Sequence, residues 1–164
     1  MEMKFFKKAL IAFWATWFYI AFFTDYFGWR VTFDHAHIKW SGAANYSYLI
    51  KNLSVFSTPE WLSKLFYFGI IVWLLVSSLA FTYAFIAGFS RKYSHWLKSA
   101  NYAFIISLCL WFVFFIADQL IMNFDLEANH MVQAEMEFLS YLALFILPDG
   151  SKPQKQNPEI HENC

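Results

Sequence analysis

The side chains able to hold a proton, a metal or a polar headgroup gather into a few stretches of the chain. Asp25 closes one apolar run and Asp118 closes another. Asp34, His35 and His37 follow the first, and Asp125, Glu127, His130, Glu135 and Glu137 follow the second. Glu127 and His130 stand at i and i+3, so on a helix they share one face, an arrangement used by some metal sites. Imidazoles with carboxylates suit a divalent ion such as Zn²⁺ or Mn²⁺. His35, His37, Glu127 and His130 are therefore the candidate metal ligands. Asp25, Asp118, Glu135 and Glu137 are the candidate ligand-binding residues, because two neighbouring carboxyls favour proton or cation binding. The competing reading is plainer. These are solvated loop residues, or one of Asp25 and Asp118 is a structural partner of Arg30.

Other chemistries are poorly provided for. The cysteines are Cys109, inside an apolar run, and Cys164 at the end. They give neither a paired-cysteine redox motif nor a prenylation site, and their expected depths differ too much for a disulfide. No histidine falls inside an apolar run, so a haem held by facing histidines is not expected. The sequence requires no cofactor, and a divalent metal is the one it leaves open.

These residues must be positioned by helices in lipid. Of 164 residues, 59% are hydrophobic, 23% aromatic and 15% charged. A soluble domain of this size cannot bury so much apolar surface. The 12 basic residues balance 12 acidic ones, which argues against nucleic acid as a partner, since binding it needs a basic face. A bilayer core of about 30 Å takes roughly 20 helical residues. The apolar runs give spans over about residues 9–27, 65–89, 99–120 and 131–148, the last including Glu135 and Glu137. The expected fold is all-α: an integral membrane four-helix bundle over residues 1–150, with a long outer loop between spans 1 and 2 and a disordered cytoplasmic tail over 151–164. Lys4, Lys7 and Lys8 precede the first run like a signal peptide, but bulky Trp14, Trp17, Tyr19 and Phe22 and the lack of a small-residue cleavage site indicate an uncleaved span.

Charge orients the spans. Lys4, Lys7 and Lys8, then Arg91, Lys92 and Lys98, then Lys152 and Lys155 fall on one side, and the acids around the third connection fall on the other. This bias predicts a plasma (inner) membrane protein with both termini in the cytoplasm. The first connection, about 29–60, is apolar enough to carry a short helix or two capping the bundle, with Thr58 as N-cap and Pro59 in the first turn of span 2. Ala80, Ala84 and Gly88 in span 2 and Ser99, Ala103 and Ser107 in span 3 recur at four-residue spacing and predict close packing of these two spans. Asn45-Tyr46-Ser47 and Asn52-Leu53-Ser54 match the short N-glycosylation pattern.

Thr24-Asp25-Tyr26 closing the first span, the outer loop with His35 and the Leu147-Pro148-Asp149 ending resemble a bacterial family of uncharacterised four-span proteins, described as predicted small integral membrane proteins. That resemblance covers about residues 1–150. It implies an inner-membrane protein with no assigned activity and carries over no catalytic residues. An acid late in the first span, Pro59-Glu60-Trp61 and Thr82-Tyr83-Ala84-Phe85 are similar to the sigma-2 receptor and emopamil-binding group, which implies a sterol-like ligand enclosed by acids inside the membrane. Gly69-Ile70-Ile71-Val72-Trp73 carries no carboxylate and departs from that pattern. The expected function is that of a non-enzymatic accessory or interaction protein, whose partners are the lipid bilayer and another membrane protein. The alternative is a lipid, small-molecule or divalent-metal binding protein that uses the outer acidic and histidine cluster. An enzyme using the same groups on an amphipathic substrate is the third reading.

Overall fold

The computed structural model describes residues 3–33 and 43–148. His35, His37, the expected tail over 151–164 and both of its lysines lie outside the described residues. The rest is helical: α1 (Met3–Phe33), α2 (Ala43–Leu53), a 3-10 turn (Ser54–Phe56), α3 (Glu60–Ser90), α4 (Tyr93–Ile121) and α5 (Phe124–Ile146). The helices α1, α3 and α4 are long and apolar enough to cross a membrane. At 31, 31 and 29 residues they outrun the apolar stretches in the sequence. A ~1.5 Å rise per residue makes each about 45 Å long, so both ends would reach past a bilayer core into the headgroups.

The fourth long helix, α5, has 23 residues and starts at Phe124 rather than at Met131. The reason is local. The Asn123 side chain accepts a hydrogen bond from the Leu126 N–H at 3.2 Å, and Asp125 and Glu127 complement the positive end of the helix dipole. The expected cap of α3 is also different. Pro59, in extended backbone, is the N-cap. The Thr58 hydroxyl turns back to donate to the Leu53 carbonyl at 3.0 Å, closing the end of α2.

The core runs through the half of the bundle that holds the α3–α4 turn. Phe18 of α1 stacks on Phe81 of α3 at 5.6 Å, and Phe81 meets Phe104 of α4 edge-on at 4.9 Å. Ala84, Ala100 and Ala103 are wholly buried. Small side chains here let the α3 and α4 backbones approach. Gly88 serves the same end, since a Cβ there would lie 3.0 Å from the Trp96 indole nitrogen. Ser107, by contrast, faces α5, where it bonds a carboxyl. Lys4 lies over the Tyr93 ring at 5.9 Å and Lys8 over Phe89 at 4.3 Å, so the N-terminal lysines sit beside the basic α3–α4 turn.

Ala84→Leu adds bulk at a wholly buried position of α3 and must push a neighbouring helix away. We expect a loss of about 1–3 kcal/mol, typical of overpacking, read as a lower midpoint of thermal unfolding in detergent. Leu79→Ala, on the exposed face of α3, should leave that midpoint nearly unchanged. An unshifted Ala84→Leu midpoint would contradict this packing.

Candidate functional site

At the level of Trp73, whose indole N–H donates to the Ile106 carbonyl at 2.9 Å, α3 and α4 are in contact. From there toward the opposite end of the bundle the same two helices line a cavity of about 710 Å³ instead. Its walls are mostly Leu, Ile, Val and Phe of α3 and α4, α2 lies across its end, and its polar lining includes Asp25, Asn45, Tyr67, Asp118 and His130. Gly69 opens onto space, for a Cβ built there meets nothing within 4 Å. A smaller recess of about 260 Å³ between α1 and α5 shares Asp25, Asn45, Ile70, Phe114 and His130 with the larger one.

Asp25 projects from α1 into this space and is held by neutral donors. Asn45 Nδ2–H of α2 donates to its carboxylate at 2.5 Å. The buried Tyr67 hydroxyl of α3 reaches both the Asp25 carbonyl, at 3.1 Å, and the carboxylate, at 3.3 Å. Tyr67 is fixed in turn by two rings, lying 6.2 Å from Trp29 and 5.4 Å from Tyr46, and Tyr46 packs against Phe33. The second asparagine of the glycosylation patterns is also engaged. Asn123 Nδ2–H donates to Asn52 Oδ1 at 3.1 Å and to the Tyr48 hydroxyl at 3.3 Å, tying α2 to the α4–α5 turn. Both asparagines thus serve the packing of α2.

Asp118, 2% exposed, stays helical in α4 and accepts a hydrogen bond from His130 Nδ1–H of α5 at 2.6 Å. Phe114 stacks on the imidazole at 4.7 Å, and Trp111 lies 5.9 Å away. That bond sets the His130 tautomer and, with the stacked ring, its orientation. Glu127 shares a helical face with His130 but takes a different partner, accepting from Gln119 Nε2–H at 2.6 Å. Among the described residues no three His, Cys, Asp or Glu side chains converge as a metal set.

Glu137 lies about two turns further along α5 than His130 and is fully buried. It accepts from the Trp111 indole N–H at 2.5 Å and is hydrogen-bonded to the Ser107 hydroxyl. Glu135, two residues earlier, faces out of the bundle. Of the four expected ligand-binding carboxyls, the fold therefore brings Asp25 and Asp118 to one cavity. It places Glu137 below it behind Trp111, and sends Glu135 to the surface.

The residues that sequence reading passed over are Asn45, Tyr67, Ser107 and Trp111. One signal was available: an indole N–H or phenol in an apolar run needs an acceptor. Chemically, the site is an apolar chamber with carboxyls and an imidazole at one end. Among the described residues His130 bonds only to Asp118, so no serine or cysteine nucleophile is paired with it.

Glu137 ties α4 to α5, and its removal leaves the Trp111 N–H without an acceptor and a void beside it. Glu137→Ala should cost about 2–4 kcal/mol, from an orphaned buried donor plus a cavity, while Glu137→Gln, which keeps an acceptor oxygen, should lose less. Thermal unfolding of the two variants in detergent checks the order, and equal midpoints would show that the hydrogen bonds do not matter.

No family model, no curated protein and no solved structure matches this chain.

Proposed function

We propose that this is a four-span inner-membrane protein, with both termini cytoplasmic, that binds an amphipathic small molecule in the chamber between α3 and α4. The observation that carries the binding reading is the chamber's make-up. It has the volume of a typical small-molecule site, long hydrocarbon walls, and Asp25, Asp118 and His130 at the end covered by α2. Among the described residues neither Lys nor Arg lines it. An occupant would lay an apolar body along α3 and α4 and turn an amine or a hydroxyl toward the carboxyls.

The fourth span is supported by the pairing of α5 with α4. Asp118–His130, Trp111–Glu137 and Asn101–Tyr141 follow one another along the seam. That pairing supports a bilayer crossed by α4 being crossed by α5 as well, and the inward carboxyl is satisfied by partners on α4, which lowers the cost of carrying it there. Orientation rests on Lys4, Lys7, Lys8, Arg91, Lys92 and Lys98 at the opposite end of the bundle from Asp25 and Asp118, which outnumber Arg30, Lys51 and Lys64 at the Asp25 end among the described residues.

A fluorescent long-chain alkylamine is a suitable probe. The wild-type protein in detergent should bind it with a saturable blue shift. Gly69→Phe fills open space, so it should reduce affinity by about tenfold or more, a loss of about 1.4 kcal/mol. Its thermal stability should be kept or slightly raised, because Gly is a poor helix former. Unchanged affinity in Gly69→Phe would refute the chamber as the site. Reporter fusions in the α3–α4 turn and at the C-terminus should both read cytoplasmic, and an external C-terminus would remove the fourth span.

A further inference from the structure

We propose that the outward face of α5 docks a transmembrane helix of another membrane protein, one that presents a hydrogen-bond donor or cation to Glu135 at mid-bilayer. The inference rests on α5 crossing the membrane. Two pairs fix the α4–α5 register at either end: Asp118 with His130 and Asn101 with Tyr141. In that register Glu135 is level with about Trp111, near the middle of the apolar run Ser99–Ala117. Its side chain is exposed, and among the described residues it has neither a hydrogen-bond nor an ionic partner. Around it Val132, Met136 and Leu139 are about 60% exposed, so the carboxyl stands alone on an apolar face. A glutamate side chain is too short to cross the roughly 15 Å from the middle of a bilayer to its headgroups.

The contrast with Glu137 is informative. At the same depth, two residues along, a carboxyl turned inward is fully buried and receives an indole N–H and a hydroxyl. Carboxyls within a bilayer are costly and are found paired. None of the described residues serves Glu135, which points to a partner on another chain. The free flank of α5 leaves room for one, since the helix packs along α4 and touches α1 only lightly. A second copy is a poor occupant. Symmetric pairing would set two carboxyls face to face, which repel when both are ionised and hold each other only through a shared proton, and Val132, Met136 and Leu139 supply no donor. A helix with a central Lys, Arg, Asn or Gln supplies what the face lacks, because interhelical hydrogen bonds are a main glue between helices in lipid.

The test uses full-length protein in phosphatidylcholine vesicles and two synthetic Leu/Ala single-span helices, one with a central lysine and one with leucine there. Energy transfer between labelled protein and labelled helix reads association. The lysine helix should bind about tenfold more tightly than the leucine helix, the effect of one or two interhelical hydrogen bonds. Glu135→Leu should abolish that preference without lowering thermal stability, and Glu135→Gln should keep part of it. Equal binding of the two helices, or a preference that survives Glu135→Leu, overturns the proposal. So does Glu135-dependent energy transfer between copies of the protein alone, which would make the face a self-contact. Depth-dependent quenching of a label at Leu139→Cys, with Cys109 and Cys164 replaced by serine, separates the two ways of failing. A midplane depth keeps the fourth span and loses only the docking face, whereas a headgroup depth shows α5 on the membrane surface and removes the span itself.

Discussion

A polar side chain that enters a hydrocarbon layer has no water to turn to, so it must meet its partner within the protein. That constraint organises this fold more than any hydrophobic preference does, because lipid tails are as apolar as the helices and give them no reason to associate. Many of the contacts between elements follow from it, although the Trp14 and Trp96 indoles and the Tyr46 and Ser77 hydroxyls are buried without a hydrogen-bond partner among the described residues. Asp25 draws α2 and α3 to α1 through Asn45 and Tyr67. Glu137 draws α5 to α4 through Ser107 and Trp111, and Asp118 does so again through His130. Trp73 spends its indole N–H on a backbone carbonyl of α4. Between these fastenings Ala84, Ala100, Ala103 and Gly88 bring helices close enough for dispersion to act over a long seam.

The chamber is where small-residue packing ends and polar fastening begins. Below Trp73, aromatic and alanine contacts close the α3–α4 seam. Above it, α2 lies across the end of the gap. Asn45 holds α1, and Tyr48 and Asn52 hold the α4–α5 turn. The space left between is lined by side chains that also face lipid, and its polar end is built from the same groups that hold the helices together. The residues that secure the α2 end of the bundle are thus the ones a headgroup would meet. Glu135 is the one carboxyl in this depth range, among the described residues, that obeys no such pairing inside the chain.

Much of the architecture was legible in the sequence. Uncharged runs longer than a soluble core helix announce three apolar helices, and the clustering of tyrosine, leucine and phenylalanine after Asn45 announces a short helix in the first connection. Asp118 fell within the expected third span, over about 99–120, and it is a buried member of α4. Other features were hidden for physical reasons. The start of α5 depends on the Asn123 cap, a signal weaker than the polar residues that follow it. Thr58-Pro59 carries the pattern of a cap, but the Thr58 hydroxyl finds a carbonyl in the preceding turn. Whether Glu135 or Glu137 faces inward depends on the rotation of α5, and both lie in a stretch whose apolar residues occupy every side of the helix. Only the three-dimensional pairing with Ser107 and Trp111 decides it. The Glu127 and His130 spacing correctly puts both on one face, yet spacing cannot tell that Gln119 and Asp118 claim them separately.

The central claim is that the gap between α3 and α4 receives an amphipathic molecule from the membrane. Native mass spectrometry of the protein released from its own membranes in mild detergent tests this most directly. The account predicts a small, dissociable adduct on the wild-type chain that is missing from Gly69→Phe, with ordinary phospholipid adducts unchanged between the two. Identical adduct spectra for both proteins would contradict it.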